Sequence, residues 1–414
     1  MNWHVFVVDS DSYPVHRDRL FCGVKNPNRL NTRGNLNVAR FGVYADLKAL
    51  RKGDIVFFYQ KRIKEEKLDR GFRGIFKVKS EPFFDTADID GVATSTGSLG
   101  SANKKVLGKC PYCSSDISEG KRSERIRVRL KNRREKEKKV SVYYCKHCHR
   151  KLDFHILPNR VLIEPIALFA NETGSEAVID DNTAYIDRNY IKENLPILWT
   201  MLFRKTYGRG RERSITHILP EEAHKLELIF NEKFTKIQLP KIMPYQKPAT
   251  ATPITIPLEC NSDGELKIEA LLEAWIMENI DKEIPVLKDI IGDVNQLEYF
   301  GNNVLYGIGG ENVDVLCIHK VNNKRNKATV IELKKGSLKI KDVAQVLDYT
   351  KWMSQLIFGD DKKESKEKIQ PVLIGFKADD KVVAYARKIK VETQKPILLI
   401  YKVDNGTIRF ERVL

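Results

Sequence analysis

The stretch VIELKKG, Val330–Gly336, alternates as a strand does, so Glu332 and Lys334 leave one face while Ile331 and Leu333 leave the other. A carboxylate and an ammonium two residues apart suit a solvated edge as well as half of a metal-dependent site. A second acid bears on that choice. Asp314 interrupts the apolar run VDVLCIHK, Val313–Lys320, which leads through the turn-like VNNKRNK into ATVIELKK, and the two runs predict a hairpin. Asp314 and Glu332 on neighbouring strands are hard oxygen ligands for a catalytic divalent cation, Mg²⁺ or Mn²⁺. Such a cation polarises a phosphate oxygen and lowers the pKa of a bound water. Lys334, on the Glu332 face, suits orienting that water or balancing the charge that builds at phosphorus.

The elements that must position these groups are legible around them. GELKIEALLEAWIMENI, Gly264–Ile280, has apolar residues at 268, 271, 272, 275, 276 and 280, which is helical spacing. Glu269 shares that apolar face, where a carboxylate is unexpected, and Glu273 lies further round, towards solvent. Ile340–Phe358 is helical, with Gln345 and Tyr349 one turn apart. Strand-like PVLIGFKA and PILLIYKV follow, separated by a helical DDKVVAYARKI. The predicted order is helix, strand, strand, helix, strand, helix, strand.

On these residues the C-terminal region resembles the PD-(D/E)xK nucleases, and more narrowly the nuclease domain of the EndoMS/NucS mismatch endonucleases. The matching positions are Glu269, Asp314, the Glu332-x-Lys334 pair, and Gln345 with Tyr349, within a stretch running roughly from Ile268 to Ile357. The resemblance implies a restriction-endonuclease-like αβββαβ domain over 259–414, with these six residues catalytic and DNA as substrate. The turn before ATVIELKK is longer and more basic than the family leads one to expect. Tyr349, an aromatic at helical spacing, suits a core equally well.

A second metal chemistry is written in cysteine. CPYC, Cys110–Cys113, and CKHC, Cys145–Cys148, are two C-x-x-C knuckles with 31 residues between them. Four thiolates in such pairs predict a closed, tetrahedral structural Zn²⁺ site in an insertion spanning 106–154. The gap exceeds the usual spacing and predicts an extended hairpin between the knuckles, whose KRSERIRVRLKNRREKEKKVSVYY is densely basic. That hairpin is either a solvated surface or a phosphate contact. Cys22, Cys260 and Cys317 are isolated and read as small core residues.

Around the insertion, WHVFVV, GDIVFFYQ, RGIFKVKSEPFF and VLIEPIALF read as strands joined by short helices, which suggests a small mixed barrel. Trp3, FCGVKN (21–26), KGDIVFFYQ (52–60), GIFKVKSEPFFD (74–85) and RSITHILPEEAHKL (213–226) resemble, in order, an EVE domain of the PUA-like superfamily. That resemblance covers 1–105 and 155–238 and implies a reader that holds a flipped, modified base between aromatic walls. Trp3, Phe21, Tyr59 and Trp199 are the candidate walls, since stacking requires accessible rings; each suits a core as well. Arg204, Lys205, Arg209, Arg211 and Arg213 are too many cations to be ion-paired locally and are candidate DNA contacts. The scattered histidines, His4, His16, His155, His217, His224 and His319, form no ligand spacing.

The two regions meet at LPKIMPYQKPATATPITIP, within a linker over 239–258 whose prolines predict an extended, semi-rigid spacer. A net charge of +17 over 414 residues favours a polyanionic partner. No apolar run is long enough to span a membrane, and the N-terminus lacks signal-peptide character, so the expected location is cytoplasmic. The reading that follows is a multidomain α+β and α/β endonuclease, modification-dependent, with a homodimer expected because cutting two strands takes two active sites. A repair endonuclease acting on mismatched DNA is the alternative, as is a non-catalytic binder of modified RNA or DNA.

Overall fold

Aromatic and β-branched runs in the N-terminal part pair into one ten-stranded sheet. In chain order this part carries β1 (Trp3–Val8), α1 (Ser12–Arg19), β2 (Phe21–Val24), α2 (Val38–Lys48), β3 (Ile55–Gln60), β4 (Gly71–Val78) and β5 (Phe83–Phe84). It continues with β6 (Glu119–Arg129), β7 (Glu135–Cys145), β8 (Asn159–Ala170), β9 (Ile186–Asp187), β10 (Ile215–Ile218), α3 (Pro220–Lys233), β11 (Thr235–Ile237) and β12 (Thr252–Pro253). The strand order is β10-β1-β3-β4-β8-β5-β12, with β2 and β11 also on β8 and β9 on β4. Only the β1–β3 pair is parallel among these strands. The basic hairpin expected between the cysteine knuckles is there: β6 and β7 form a separate antiparallel ribbon.

The C-terminal part carries α4 (Glu269–Asn279), α5 (Pro285–Ile291), β13 (Leu297–Tyr306), β14 (Glu311–Val321), β15 (Lys324–Leu333), α6 (Ile340–Phe358), α7 (Lys363–Glu367), β16 (Ile369–Gly375), α8 (Asp380–Lys388), β17 (Ile397–Asp404) and β18 (Thr407–Arg412). Its six strands follow one another as β13-β14-β15-β16-β17-β18, antiparallel except for β15–β16 and β16–β17. The molecule is thus mixed α and β, built on two mixed sheets. The computed structural model describes residues 2–8, 12–24, 36, 38–60, 71–85, 119–129, 135–145, 147, 157–170, 186–187, 214–233, 235–237, 244–282, 284–306, 311–359, 362–389 and 394–414. No helix among them is long and apolar enough to cross a membrane.

Three expectations change. The turn before ATVIELKK is not long: it is Asn322–Asn323 alone, with φ of 48° and 60°, and Lys324–Lys327 belong to β15. Two residues with positive φ match the twist of the flanking strands, and asparagine tolerates that conformation. A first strand, β13, precedes the predicted pair, and β18 follows the predicted last strand.

The proline-rich segment, as far as 244–258 shows it, is no spacer. Tyr245, Ile254 and Ile256 are buried, Thr252–Pro253 pairs with Phe83–Phe84, and the Tyr245 hydroxyl donates to Asp85. The two parts also join directly, α2 against α4. Arg51 holds Asp281 through Nε at 2.5 Å and Nη2 at 2.7 Å and donates to the Met277 carbonyl at 2.9 Å. Lys48 pairs with Glu278 at 2.5 Å, and Asn2 Oδ1 accepts the Phe300 N–H at 3.2 Å.

Candidate active site

The β14–β15 ladder pairs Leu316 with Val330 and Val315 with Ile331, so position 314 comes opposite 332. There the ladder gives way to a side chain: Asp314 Oδ2 accepts the Leu333 N–H at 2.7 Å. One residue on, the Lys334 N–H donates to the Ile374 carbonyl of β16 at 2.8 Å, which fixes the end of β15. The Lys334 ammonium is paired with Glu332 Oε1. Ile331 and Leu333 are fully buried in the core beneath α4, as alternation requires.

Glu269 enters from the helix. α4 starts after Ile268, whose extended backbone (φ −145°) brings no side-chain cap, and Glu269 is the first helical residue. Its Oε2 accepts the Lys335 N–H at 3.1 Å. Glu269, Asp314, Glu332 and Lys334 are therefore gathered where the ends of β14 and β15 meet the start of α4.

The electrostatics are those of crowded acids. Burial pushes Asp314 well above the usual carboxylate range, and the charges of Glu332 and Glu269 push it further; the Leu333 N–H opposes them in part. Burial raises Glu332 as well, with Lys334 opposing and Glu269 adding to the shift. Glu269 is raised by burial, against the pull of Lys334 and the Lys335 N–H. Burial works to lower Lys334, but Glu332, then Asp314 and Glu269, raise it overall. One ammonium faces three carboxylates.

Among the described residues, no three His, Cys, Asp or Glu side chains already converge as a set of metal ligands. Glu332 Oε1 is occupied by Lys334, while Glu332 Oε2 is buried without a hydrogen-bond partner. That orphaned oxygen and the surplus of buried negative charge fit a hard divalent cation, which takes oxygen ligands from Asp and Glu. Asp314 and Glu332 are the residues that would hold such a cation.

The other expected residues fare differently. Gln345 Nε2 donates to the Tyr349 hydroxyl on α6, and the Tyr349 ring lies in the core over β14 and β15 with Leu316, Val330 and Val346. Trp3 and Tyr59 are 6% and 3% exposed in one core cluster, Phe21 1% in another with Phe83 and Tyr245. These three rings pack rather than face an open cage: Tyr59 meets Phe72 edge-on, and the Arg160 guanidinium lies over Phe21. Trp199, the cluster Arg204, Lys205, Arg209, Arg211 and Arg213, and the cysteines Cys110, Cys113 and Cys148 lie outside the described residues. Cys145 closes β7 opposite Glu119.

Two polar features escaped the sequence. Glu273, expected towards solvent, is buried and accepts hydrogen bonds from Asn302 Nδ2 at 2.5 Å and from Asn303 Nδ2. Asn302 Nδ2 also reaches Asp46 of α2 at 3.0 Å. The Glu273 charge adds to the upward push on both Glu269 and Asp314. The adjacent Asn302–Asn303 in FGNNVL was the available signal, because paired amides inside a strand need buried partners. In the N-terminal sheet, His4 contacts Asp54 Oδ2 at 2.8 Å through Nε2 and His217 Nδ1 at 2.7 Å through Nδ1. No spacing rule joins residues 4, 54 and 217; the β1–β3 and β1–β10 pairings do.

No family model matches the chain, and no curated protein matches it. Solved structures similar to part of it include a hypothetical protein from Leishmania major, 11% identical, with a TM-score of 0.29 over 56% of this chain and 96% of that one. A protein from Pseudomonas putida (10% identical, TM-score 0.27) covers 55% of this chain and 99% of its own. One from Pseudomonas syringae (11%, 0.27) covers the same shares. Superpositions this loose carry no argument about fold or function.

Proposed function

We propose that the chain is a metal-dependent endodeoxyribonuclease. The observation that carries this reading is the meeting of Glu269, Asp314, Glu332 and Lys334 at one strand end, in the order and spacing of a PD-(D/E)xK site. Asp314 and Glu332 would hold Mg²⁺ or Mn²⁺, which would supply Lewis-acid polarisation of the phosphate and lower the pKa of a water. Lys334, kept protonated by the surrounding acids, directs its ammonium towards the attacking oxygen and the charge gathering on the phosphate. Glu269 holds the Lys335 N–H and with it the end of the E-x-K strand. Gln345 and Tyr349 brace one another on the helix that covers β15. A net charge of +17 supports a nucleic-acid substrate.

In the same proposal, 1–105 and 155–238 form an EVE-like, PUA-type barrel that reads a modified base. The insertion over 106–154 is a zinc ribbon held by Cys110, Cys113, Cys145 and Cys148, and 259–414 is the nuclease, acting as a homodimer on DNA. Together these parts describe a modification-dependent endonuclease. The burial of Trp3, Phe21 and Tyr59 favours a second reading, a repair-type enzyme acting on mismatched DNA without an aromatic cage for a base.

Binding to methylated, hydroxymethylated, mismatched and plain duplexes of one sequence separates the two. Preference for a modified duplex supports the first reading and preference for the mismatch the second. Equal binding to all four discards both kinds of selectivity.

A further inference from the structure

We propose that Tyr401 is a positioning residue for this site, setting the separation between Glu269 and the Glu332–Lys334 pair; the inference rests on the nuclease reading. Tyr401 lies on β17, two strands away from β15, and is 1% exposed. Its hydroxyl donates to the Lys335 carbonyl at 2.5 Å and accepts the Leu266 N–H at 3.2 Å. Those two backbone groups belong to different halves of the site. Lys335 directly follows Lys334, and Leu266 stands three residues before Glu269.

The contacts close a ring. From the Tyr401 oxygen it runs through the Lys335 backbone, from the carbonyl to the N–H that donates to Glu269 Oε2 at 3.1 Å. It returns along the backbone from Glu269 to Leu266, and so to the same hydroxyl. One oxygen therefore ties the entry of α4 to the end of β15. Burial pushes the phenol up, so the hydroxyl keeps its proton and its donor role across any working pH. The ring of Tyr401 is anchored by packing against Phe376, centroids 5.8 Å apart, so the hydroxyl is delivered from a fixed direction. A catalytic carboxylate held only by a flexible strand end drifts by tenths of an ångström, and such drift is costly where charge must be met in a fixed geometry.

The test is Tyr401→Phe in the full chain, which keeps the ring and removes the link. Calorimetric titration of the DNA-free protein with Mn²⁺ is expected to show about tenfold weaker binding. Cleavage of plasmid DNA is expected to lose kcat by about tenfold or more with KM for DNA unchanged. Phe376→Leu, which loosens the packing that anchors the ring but leaves the hydroxyl, is expected to lose less than Tyr401→Phe in both Mn²⁺ affinity and kcat. A folded Tyr401→Phe that matches the wild type in both quantities overturns the positioning role and leaves the nuclease reading standing. A wild type that neither binds Mn²⁺ nor cuts DNA overturns both. Should the variant not fold, hydrogen exchange on the wild type serves instead. Mn²⁺ is expected to slow the Leu266 and Lys335 amides together, and metal binding without change at either overturns the proposal.

Discussion

Asp314 meets Leu333 where the β14–β15 ladder ends: its Oδ2 takes the backbone N–H at 2.7 Å in place of the next ladder bond. The acid is thereby fixed opposite Glu332 although burial and the charges of Glu332, Glu269 and Glu273 oppose its ionisation. A group whose folded pKa lies above its unfolded value is fully stabilising only below the unfolded pKa, and that stability is lost as pH rises through the folded value.

Asp314→Asn keeps an acceptor for Leu333 and removes one of the crowded charges. It is expected to stabilise the metal-free protein at pH 8 by about 1 kcal/mol, on the scale of one pKa unit. Cleavage should fall by on the order of 10²–10³ or more, since a ligand of the cation that would stabilise the developing charge has been lost. Thermal melts and a plasmid assay check the two halves. A variant less stable than the wild type at pH 8 contradicts the crowding. For the same reason, Mg²⁺ should raise the Tm of the wild type at pH 8 and do nothing for Asp314→Asn.

Acid acts on another buried group with the opposite sign. His319 is 2% exposed beside Lys327, and burial, then the Lys327 charge, pushes it down from 6.5 to about 4. It folds neutral, so stability is full above pH 6.5 and is lost as pH falls towards 4. His319→Leu should flatten the dependence of Tm on pH between 7 and 5. An unchanged slope in that variant would mean that another group carries the acid sensitivity.

Arg51 spans the join between the two parts, with two hydrogen bonds to Asp281 and one to the Met277 carbonyl. Removing a charged donor from such partners costs about 2 kcal/mol. Arg51→Ala should therefore lower the denaturation midpoint and split or broaden the transition as the two parts unfold separately. A single transition at the wild-type midpoint shows that the α2–α4 contact contributes nothing to their coupling.

Metal analysis of the purified chain should find one Zn²⁺ per chain, absent from Cys145→Ser and retained in Glu332→Ala. Thiolate and carboxylate sites are then chemically separate, one closing a fold and the other serving chemistry. Zinc lost in Glu332→Ala as well would refute that division.

Local pattern carried the core of the site, and non-local packing carried what was missed. Alternation in VIELKK put Glu332 and Lys334 on one face of their strand, and helical spacing put Glu269 on the apolar face of its helix, because both signals are periodic within a single element. β13 was hidden because Gly301, Asn302 and Asn303 interrupt its apolar alternation, Asn303 with φ of 51°. Without β13, nothing showed that Glu273 faces two amides rather than water. The prolines over 239–258 signalled an extended chain, but the strand it pairs with, Phe83–Phe84, lies far away in sequence. Ring type alone could not tell whether Trp3, Phe21 and Tyr59 line a cage or fill a core.

The central claim is tested most directly by cleavage. Wild type and Glu332→Ala are incubated with plain and cytosine-modified plasmid, with Mg²⁺ or Mn²⁺ and with EDTA. Metal-dependent cutting by the wild type, abolished in Glu332→Ala, is the predicted result, and confinement to the modified plasmid supports the reader. Cutting that survives in Glu332→Ala, or no cutting of any plasmid with either metal, contradicts it.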